Sequence, residues 1–354
     1  MVTRPITLRS ILLAVALLAV VLVRPAPGQA PVYPGATWAR VPSAEQAGWS
    51  EGKLKEAHAY AGTIHTAAVM IVAGGQVVDE WGDTAARFNI HSIRKSLLSA
   101  LYGIHVREGQ IQLSKTLADL GIDDRSPLTA VEKSATVSDL LKARSGVYHP
   151  ALYETPGMAT ARPARGSYAP GVFWYYNNWD FNALGTIFEQ ATRTSIYQDF
   201  KARLAEPLEM EDFRLEDGEH FRGPESVHAA YPFRMTARDM ARFGLLYARG
   251  GQWRERSIVP REWVEESTRS YSNIGEAGGY GYLWWVAPNG GPHFTSAYFK
   301  GRVYSARGAG GHHIVVVPYL DLVVVHRVNT DIRGREVTNS QFGHLMQLIL
   351  DARK

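Results

Sequence analysis

Three residues of this chain, a serine, a lysine and a tyrosine, are the ones most suited to covalent chemistry. Ser92-Ile-Arg-Lys95 begins an apolar segment, and Tyr176-Asn177-Asn178 follows, with its tyrosine 84 residues after Ser92. A serine hydroxyl is a poor nucleophile near neutral pH, so a lysine one helical turn later and a tyrosine from elsewhere can together remove its proton. The pattern predicts a nucleophilic serine that attacks a carbonyl carbon.

The segment after Ser92 has the apolar periodicity of a helix. The residues that recur every three or four positions, and that we expect to face the core together, are Ile93, Leu97, Leu101 and Ile104. Ser92 is then expected at the helix N-terminus, where free N–H groups and the helix dipole favour a developing negative charge. Lys95 acts as a base only when neutral, which requires burial or a positive neighbour such as Arg94 to lower its pKa.

A second serine competes for the role of nucleophile. Ser50-Glu51-Gly52-Lys53 has the same Ser-x-x-Lys spacing, and residues 48–52 also fit the Gly-x-Ser-x-Gly nucleophile elbow of α/β-hydrolases. That elbow needs a buried strand directly before the serine, and no strand-like segment precedes Ser50. Ser50 is therefore interpreted as the N-cap of a helix, and an α/β-hydrolase with Ser50 as nucleophile is the less favoured alternative.

Strand patterns lie near both ends of the chain, and helical patterns lie between them. Two apolar runs, at 67–72 and 76–81, flank Gly74-Gly75 and predict a hairpin. Residues 92–270 are mostly helical in pattern, and 337–352 predict an amphipathic helix. Short β-branched runs predict late strands at 303–306, 312–317 and 322–328.

This order of elements predicts an α+β fold with one antiparallel sheet built from both chain ends and an inserted helical lobe. The site is expected at the seam between the lobes. The predicted catalytic domain covers 31–354, with a sheet lobe from 31–90 and 280–354 and a helical lobe over 91–279.

Residues 1–30 have the composition of an export signal. Arg4 and Arg9 precede an apolar run over 11–23, and Gly28-Gln29-Ala30 supplies the small residues that a signal peptidase needs. The run is shorter than the roughly 20 residues that span a bilayer, so a retained anchor is the weaker interpretation. We therefore expect an exported protein, periplasmic or secreted, with no membrane span after cleavage.

Composition excludes several other classes of function. The chain has no cysteine, so an ordinary core must supply its stability, and its formal net charge of +4 falls to about +1 once the signal leaves. No Lys/Arg run remains, which argues against a nucleic-acid partner. No His-Glu-x-x-His or similar spacing predicts a metal site, and no cofactor is expected. The adjacent His312 and His313 must point to opposite faces of a strand, and we expect His312 to line the cleft.

Further motifs resemble those of a known family. Residues 139–146 are similar to its Leu-Leu-x-x-x-Ser-Gly segment, and 170–178 to its Pro-Gly-x-x-Phe-x-Tyr-x-Asn box, with Trp174 where Phe is usual. With Ser92 and Lys95, the chain from about 48 to 328 resembles class C serine β-lactamases, DD-peptidases, and the related esterases and nylon-oligomer hydrolases. The resemblance implies a β-lactamase/transpeptidase-like fold.

The same resemblance assigns roles to site residues. Its register implies that Tyr176 is the catalytic tyrosine, whereas Tyr271, in a literal Tyr-Ser-Asn without the Pro-Gly lead, is expected in a surface turn. Asn178 is implied to orient Lys95 or the substrate.

A glycine-rich stretch, residues 306–312, matches the family's third element. There the resemblance implies that the N–H groups of Ala309 and Ser92 form an oxyanion hole, with Gly308 and His312 beside the substrate. The alternative is a glycine-rich hairpin turn without a catalytic role.

One position departs from the family pattern and bears on the substrate. Ala306 stands where β-lactam-handling members have a lysine or histidine, and strand alternation is expected to point Arg307 to the opposite face. The resemblance thus implies a serine hydrolase for a small ester or amide. A β-lactamase, a DD-peptidase and a non-catalytic penicillin-binding-like receptor are the alternatives, and neither substrate identity nor oligomeric state follows from the sequence.

Overall fold

A hairpin near the start of the chain forms one edge of an antiparallel sheet and pairs there with a strand from near the chain's end. The structure is a computed structural model that describes residues 31–275 and 278–354. Strands β1 (Thr66–Ala73) and β2 (Gln76–Gly82) make the predicted hairpin, with Gly74 and Gly75 in the left-handed conformation that its tight turn requires. The predicted export signal lies outside the described residues.

The large sheet has eight strands in the order β2-β1-β14-β13-β12-β9-β8-β7, and each neighbouring pair is antiparallel. Its later strands are β7 (Ser272–Asn273), β8 (Gly279–Tyr280), β9 (Trp285–Ala287), β12 (Val303–Gly308), β13 (His312–Val317) and β14 (Leu322–Val328). Three two-stranded ribbons are also described: β3 (Phe88–Asn89) with β4 (Arg234–Met235), β5 (Gln252–Trp253) with β6 (Arg256–Ser257), and β10 (Gly291–Phe294) with β11 (Ala297–Phe299).

One described helix precedes the hairpin, and the others follow it. They are α1 (Glu51–Ala61), α2 (Ile93–Arg107), α3 (Ala130–Lys133), α4 (Val137–Leu141), α5 (Pro156–Ala161), α6 (Asn178–Thr192), α7 (Ile196–Phe200), α8 (Ala237–Ala248), α9 (Arg261–Ser267) and α10 (Asn339–Asp351). No helix among the described residues is both long enough and apolar enough to cross a membrane.

Each face of the sheet has its own hydrophobic core, because side chains alternate along a strand. On β1, Met70 and Val72 pack into a core shared with α2, α6 and α8. Val69 and Ile71, on the opposite face, pack into a second core with α1 and α10. The predicted α+β architecture is confirmed, and the large sheet also includes β7, which the sequence placed in the helical lobe.

Helix α2 is buried on all sides rather than on one face. It lies between the sheet and the helices α6, α7 and α9, so polar residues of α2 are enclosed with the apolar ones. Two of them are hydrogen-bonded to backbone carbonyls: Ser96 Oγ donates to the Leu283 carbonyl (2.8 Å), and Tyr102 OH donates to the Leu184 carbonyl (2.7 Å). The predicted core residues Ile93, Leu97, Leu101 and Ile104 are buried together in one core, and the burial extends around the helix because it is the centre of its lobe.

Ser50 has a structural role in this fold. Its side chain accepts a hydrogen bond from the Lys53 N–H (3.4 Å) and caps α1, as the sequence predicted. No strand directly precedes it in the described chain, and the large sheet is antiparallel. The alternative of an α/β-hydrolase elbow at Ser50 is therefore wrong.

Close packing of α2 predicts opposite effects for two glycine substitutions. A Cβ on Gly103 would lie 2.3 Å from the Trp263 ring, whereas a Cβ on Gly52 in α1 meets nothing nearer than 3.8 Å. We expect Gly103→Ala to lower the free energy of unfolding by about 1–3 kcal/mol. The matched control Gly52→Ala is expected to raise it by about 0.5–1 kcal/mol. Urea unfolding measures both, and a stabilising Gly103→Ala would contradict the packing of α9 on α2.

Candidate active site

Ser92 lies at the N-terminus of α2 with its side chain free of the helix. Its backbone is helical, and its hydroxyl makes no capping hydrogen bond to the first turn. Instead Ser92 Oγ lies 2.8 Å from Lys95 Nζ, one turn further on. The hydroxyl is thus placed between the positive end of the helix dipole and an amine.

Lys95 Nζ is the point at which the predicted residues meet. It lies 2.8 Å from Ser92 Oγ, 2.9 Å from Tyr176 OH and 2.8 Å from Asn178 Oδ1. A neutral amine has two N–H donors and one lone pair, so it can donate to Asn178 and Tyr176 while accepting the Ser92 proton. The three contacts therefore match the bonding capacity of a neutral amine.

The orientation of Asn178 fixes part of this arrangement. Its Nδ2 donates to the Tyr153 carbonyl (2.5 Å), and the Leu152 carbonyl is 3.4 Å away. Because these carbonyls can only accept, Oδ1 must face Lys95, which then donates one N–H to it. The lone pair of Lys95 is left for Ser92 or Tyr176.

Burial and charge favour the neutral form of Lys95. Burial lowers the pKa of Lys95 well below its usual range, and the nearby guanidinium of Arg94 lowers it further. Arg94 is itself buried, forms no ion pair with any described carboxylate, and lies over the Tyr231 ring (4.8 Å). Burial also raises the pKa of Tyr176, although Arg94 and Arg307 oppose that rise. Both pKa shifts favour the uncharged forms, an amine on Lys95 and a phenol on Tyr176.

The segment that carries Tyr176 is held from behind by buried polar groups. Asn177 caps α6 by accepting from the Trp179 N–H (3.1 Å), and its Nδ2 donates to the Val147 carbonyl (2.7 Å). Ser145 Oγ and Asn177 Nδ2 both donate to Asp180 Oδ1, at 2.5 and 2.9 Å. These bonds explain physically why the two motifs, 139–146 and 170–178, occur together.

A cavity of about 630 Å³ opens at Ser92. Tyr176, Gly308 and Ala309 line it with Ser92, so the predicted oxyanion segment faces the nucleophile. Gly308 has no room for a side chain, because a Cβ would lie 2.4 Å from the Ile90 carbonyl oxygen.

The structure reverses the expectation for the two adjacent histidines. His313 lines the cavity, whereas His312 is fully buried behind it and hydrogen-bonds to Thr330 and Arg327. The cause is the register of the β12–β13 hairpin, which pairs Arg307 with His313 and thereby puts both on the cavity face. The assignment of His312 to the substrate side was wrong.

Arg307 was expected to point away from the site, but it lies on the cavity face of β12. It lines the cavity, and Ala306 packs into the core on the other face of β12. Its guanidinium donates to the His293 carbonyl (2.6 Å) and to Ser305 Oγ (2.9 Å), and lies over the Trp285 ring. Burial lowers the pKa of Arg307 to about 9. A cation therefore does lie beside the site.

Several cavity residues carry no motif that would have marked them in the sequence. Besides Arg307 and His313 they include His91, Tyr153, Met158 and Trp285. The one available signal for His91 was its position directly before the nucleophile. Tyr271 does not line this cavity and instead stacks on Tyr282, as its interpretation outside the site requires. No group of three metal-ligating side chains gathers anywhere in residues 31–275 and 278–354.

Comparison with known proteins agrees with this geometry. The model of the Beta-lactamase family matches residues 51–342. Among solved structures, a putative 6-aminohexanoate-dimer hydrolase from Bacillus anthracis is 20% identical, with a TM-score of 0.60 over 88% of this chain and 87% of that one. A penicillin-binding protein homologue from Caulobacter crescentus is 15% identical, with a TM-score of 0.62 over 85% and 97%.

A β-lactamase from Mycobacterium bovis is also similar, at 20% identity and a TM-score of 0.60 over 83% of this chain and 98% of that one. At such identities the structural likeness shows the fold alone. A search of curated proteins gives no significant match. The fold and family match define a serine hydrolase of the β-lactamase and penicillin-binding protein superfamily. Within it, the chain belongs to the Beta-lactamase family.

The neutral state of Lys95 predicts the effect of Asn178→Asp. A carboxylate beside the amine favours the ammonium form and raises the pKa of Lys95 by about one unit or more. Since only the neutral amine accepts a proton, the acid limb of activity is expected to move to higher pH by that amount. The pH dependence of kcat/KM on an ester reporter measures the shift, and an unmoved limb would contradict Lys95 as the base.

Removing the other cause of the lowered pKa predicts a second shift. In Arg94→Met the guanidinium charge is lost, so the pKa of Lys95 rises and the acid limb again moves to higher pH. Arg302→Met removes a half-buried guanidinium outside this cavity and serves as the control. We expect a shift in the first variant only, and equal profiles would show that burial alone sets the pKa.

Proposed function

We propose that this protein hydrolyses a small ester or amide through an acyl-enzyme on Ser92. The observation that carries the proposal is the contact of Lys95 Nζ with Ser92 Oγ, Tyr176 OH and Asn178 Oδ1 inside a buried site. No described carboxylate forms an ion pair with Lys95, which supports a neutral amine ready to accept a proton.

In the first step the Ser92 oxygen bonds to the substrate carbonyl carbon and its proton moves to Lys95 Nζ. The carbonyl oxygen becomes an oxyanion, for which the N–H groups of Ser92 and Ala309 are the proposed donors. Each such donor is worth about 3–4 kcal/mol of transition-state stabilisation. The positions of Ser92 and Ala309 on one cavity wall support this assignment.

In the second step the bond from the carbonyl carbon to the leaving group breaks. The proton on Lys95 passes through Tyr176 OH, 2.9 Å away, to the leaving oxygen or nitrogen, and the acyl group stays on Ser92. Water then attacks the acyl carbon and the bond from that carbon to the Ser92 oxygen breaks. The proton lost by the water passes through Lys95 and Tyr176 to the Ser92 oxygen, which frees the acid and restores the serine. Atoms and protons balance over this cycle without a cofactor.

A β-lactamase activity is the second candidate, and Arg307 favours it. Ala306 lacks the usual cation, but the Arg307 guanidinium lies on the cavity wall where a substrate carboxylate could meet it. Against this, Arg307 already donates to His293 and Ser305 and is packed on Trp285 and Phe294. A neutral ester or amide needs no such cation, and for that reason it remains the favoured substrate.

We also propose that the protein is exported and that residues 1–30 are removed. The support comes from sequence: two arginines, a short apolar run and small residues before position 31.

Labelling with a fluorophosphonate probe tests the nucleophile. We expect one adduct on the wild type and on Ser50→Ala, and none on Ser92→Ala, with ester hydrolysis by Ser92→Ala lowered by about a thousandfold or more. Intact-protein mass spectrometry reads the adduct, and on exported protein it also shows whether residues 1–30 are gone.

Two outcomes would contradict the proposal. An adduct retained in Ser92→Ala would move the nucleophile elsewhere. A stoichiometric burst with no turnover on esters, amides and β-lactams would favour a penicillin-binding-like receptor.

A further inference from the structure

A row of four polar side chains leads from the core to the cavity wall beside the nucleophile. Arg327 Nε donates to His312 Nδ1 (3.1 Å), His312 Nε2 lies 3.3 Å from Thr330 Oγ1, and Thr330 Oγ1 lies 2.8 Å from His91 Nε2. Of the four, His91 is the one that lines the cavity. The proposed mechanism uses none of them.

The hydrogen bonds of this row all point the same way, from donor to acceptor, and the first donor is Arg327. A guanidinium can only donate hydrogen bonds, so His312 Nδ1 must accept. Burial and the charge of Arg327 hold the pKa of His312 well below its usual range, so its ring is neutral and has one N–H. Since Nδ1 accepts, that proton is on Nε2, and His312 donates to Thr330.

Thr330 donates the last hydrogen bond of the row, to His91. Its hydroxyl accepts from His312 and has one proton of its own to donate to His91 Nε2. The pKa of His91 is lowered to about 4 by burial and by Arg94, Arg327 and Arg234, with Asp331 opposing. The His91 ring is therefore neutral near pH 7, and because Nε2 accepts, its proton is on Nδ1.

The backbone of His91 has a strained conformation. Its φ is 47°, a conformation that few residues other than glycine adopt, and the Asn89 side chain fixes it by accepting from the His91 N–H (2.8 Å). Within the part of the chain that the structure describes, Nδ1 has no hydrogen-bond partner. The Nδ1–H group of His91, the residue directly before Ser92, is therefore a hydrogen-bond donor that no described residue uses.

The chemistry of the cavity wall indicates what this donor meets. Its polar side chains include two arginines, two histidines and one asparagine, and among the described residues no Asp or Glu lines it. Such a wall suits a ligand rich in acceptor oxygens.

We propose that His91 binds the substrate, with Nδ1–H donating a hydrogen bond to a carbonyl or carboxylate oxygen, and that Arg327, His312 and Thr330 fix this donor. The substrate contact rests on the proposed function, whereas the position of the proton does not. His91 touches substrate in this proposal, and the other three are positioning residues.

The tautomer of His91 is measured without any substrate. In 15N-histidine-labelled protein, two-bond 1H–15N spectra distinguish the Nδ1–H from the Nε2–H form, and His91→Gln identifies the resonances. We expect the Nδ1–H form in the wild type and a shift toward Nε2–H in Thr330→Val, which keeps the shape but removes the hydroxyl.

A matched control is available at a second threonine–histidine pair. Thr186 Oγ1 lies 2.9 Å from His228 Nδ1, away from this cavity. Thr186→Val should alter the resonances of His228 and leave those of His91 unchanged. A wild-type His91 in the Nε2–H form overturns the proposal.

Kinetics test the contact with substrate. On an ester reporter, His91→Phe is expected to raise KM at least fivefold with a smaller change in kcat. For His91→Gln we expect a smaller rise in KM than for His91→Phe. The KM of Thr330→Val is expected to lie between those of His91→Phe and the wild type. Unchanged KM in both His91→Phe and Thr330→Val overturns the inference. Full turnover by Ser92→Ala would instead overturn the proposed function, so the two failures are distinguishable.

Discussion

The burial of one lysine amine is the constraint on which the rest of this structure depends. In the proposed mechanism Lys95 must lie close to Ser92 and Tyr176, yet its charged form has to be disfavoured, because an ammonium cannot take the serine proton. The fold meets both needs by enclosing the amine completely and placing Arg94 beside it, and no carboxylate of the described residues forms an ion pair with either. The amide of Asn178 supplies an acceptor without a negative charge.

That requirement explains why α2 lies at the centre of its lobe. A helix on the surface would leave Lys95 in water, where its pKa would be ordinary. Helix α2 instead packs against the sheet and three helices, and Gly103 lets Trp263 of α9 approach it closely. Two polar residues enclosed with it, Ser96 and Tyr102, donate to backbone carbonyls, which limits the energetic cost of burying them.

The hairpin of β12 and β13 has the complementary role of bringing donors to the same place. Its register sets Arg307 and His313 on the cavity wall and His312 behind it. The buried row through His312 and Thr330 then connects that hairpin to His91 at the head of α2. Helix α2 and the hairpin are thereby connected through neutral histidines rather than through an ion pair.

Local pattern in the sequence was enough to predict the hairpin around Gly74-Gly75, the strands at 312–317 and 322–328, and the serine, lysine and tyrosine that meet at the site. Such features depend on periodicity, turn residues and motif spacing, which are properties of the sequence itself. Only the tertiary structure decided which of His312 and His313 faces the cavity, and that Arg307 lines it. Strand alternation says that neighbours point to opposite faces, but which face meets the site depends on cross-strand pairing and packing between distant segments.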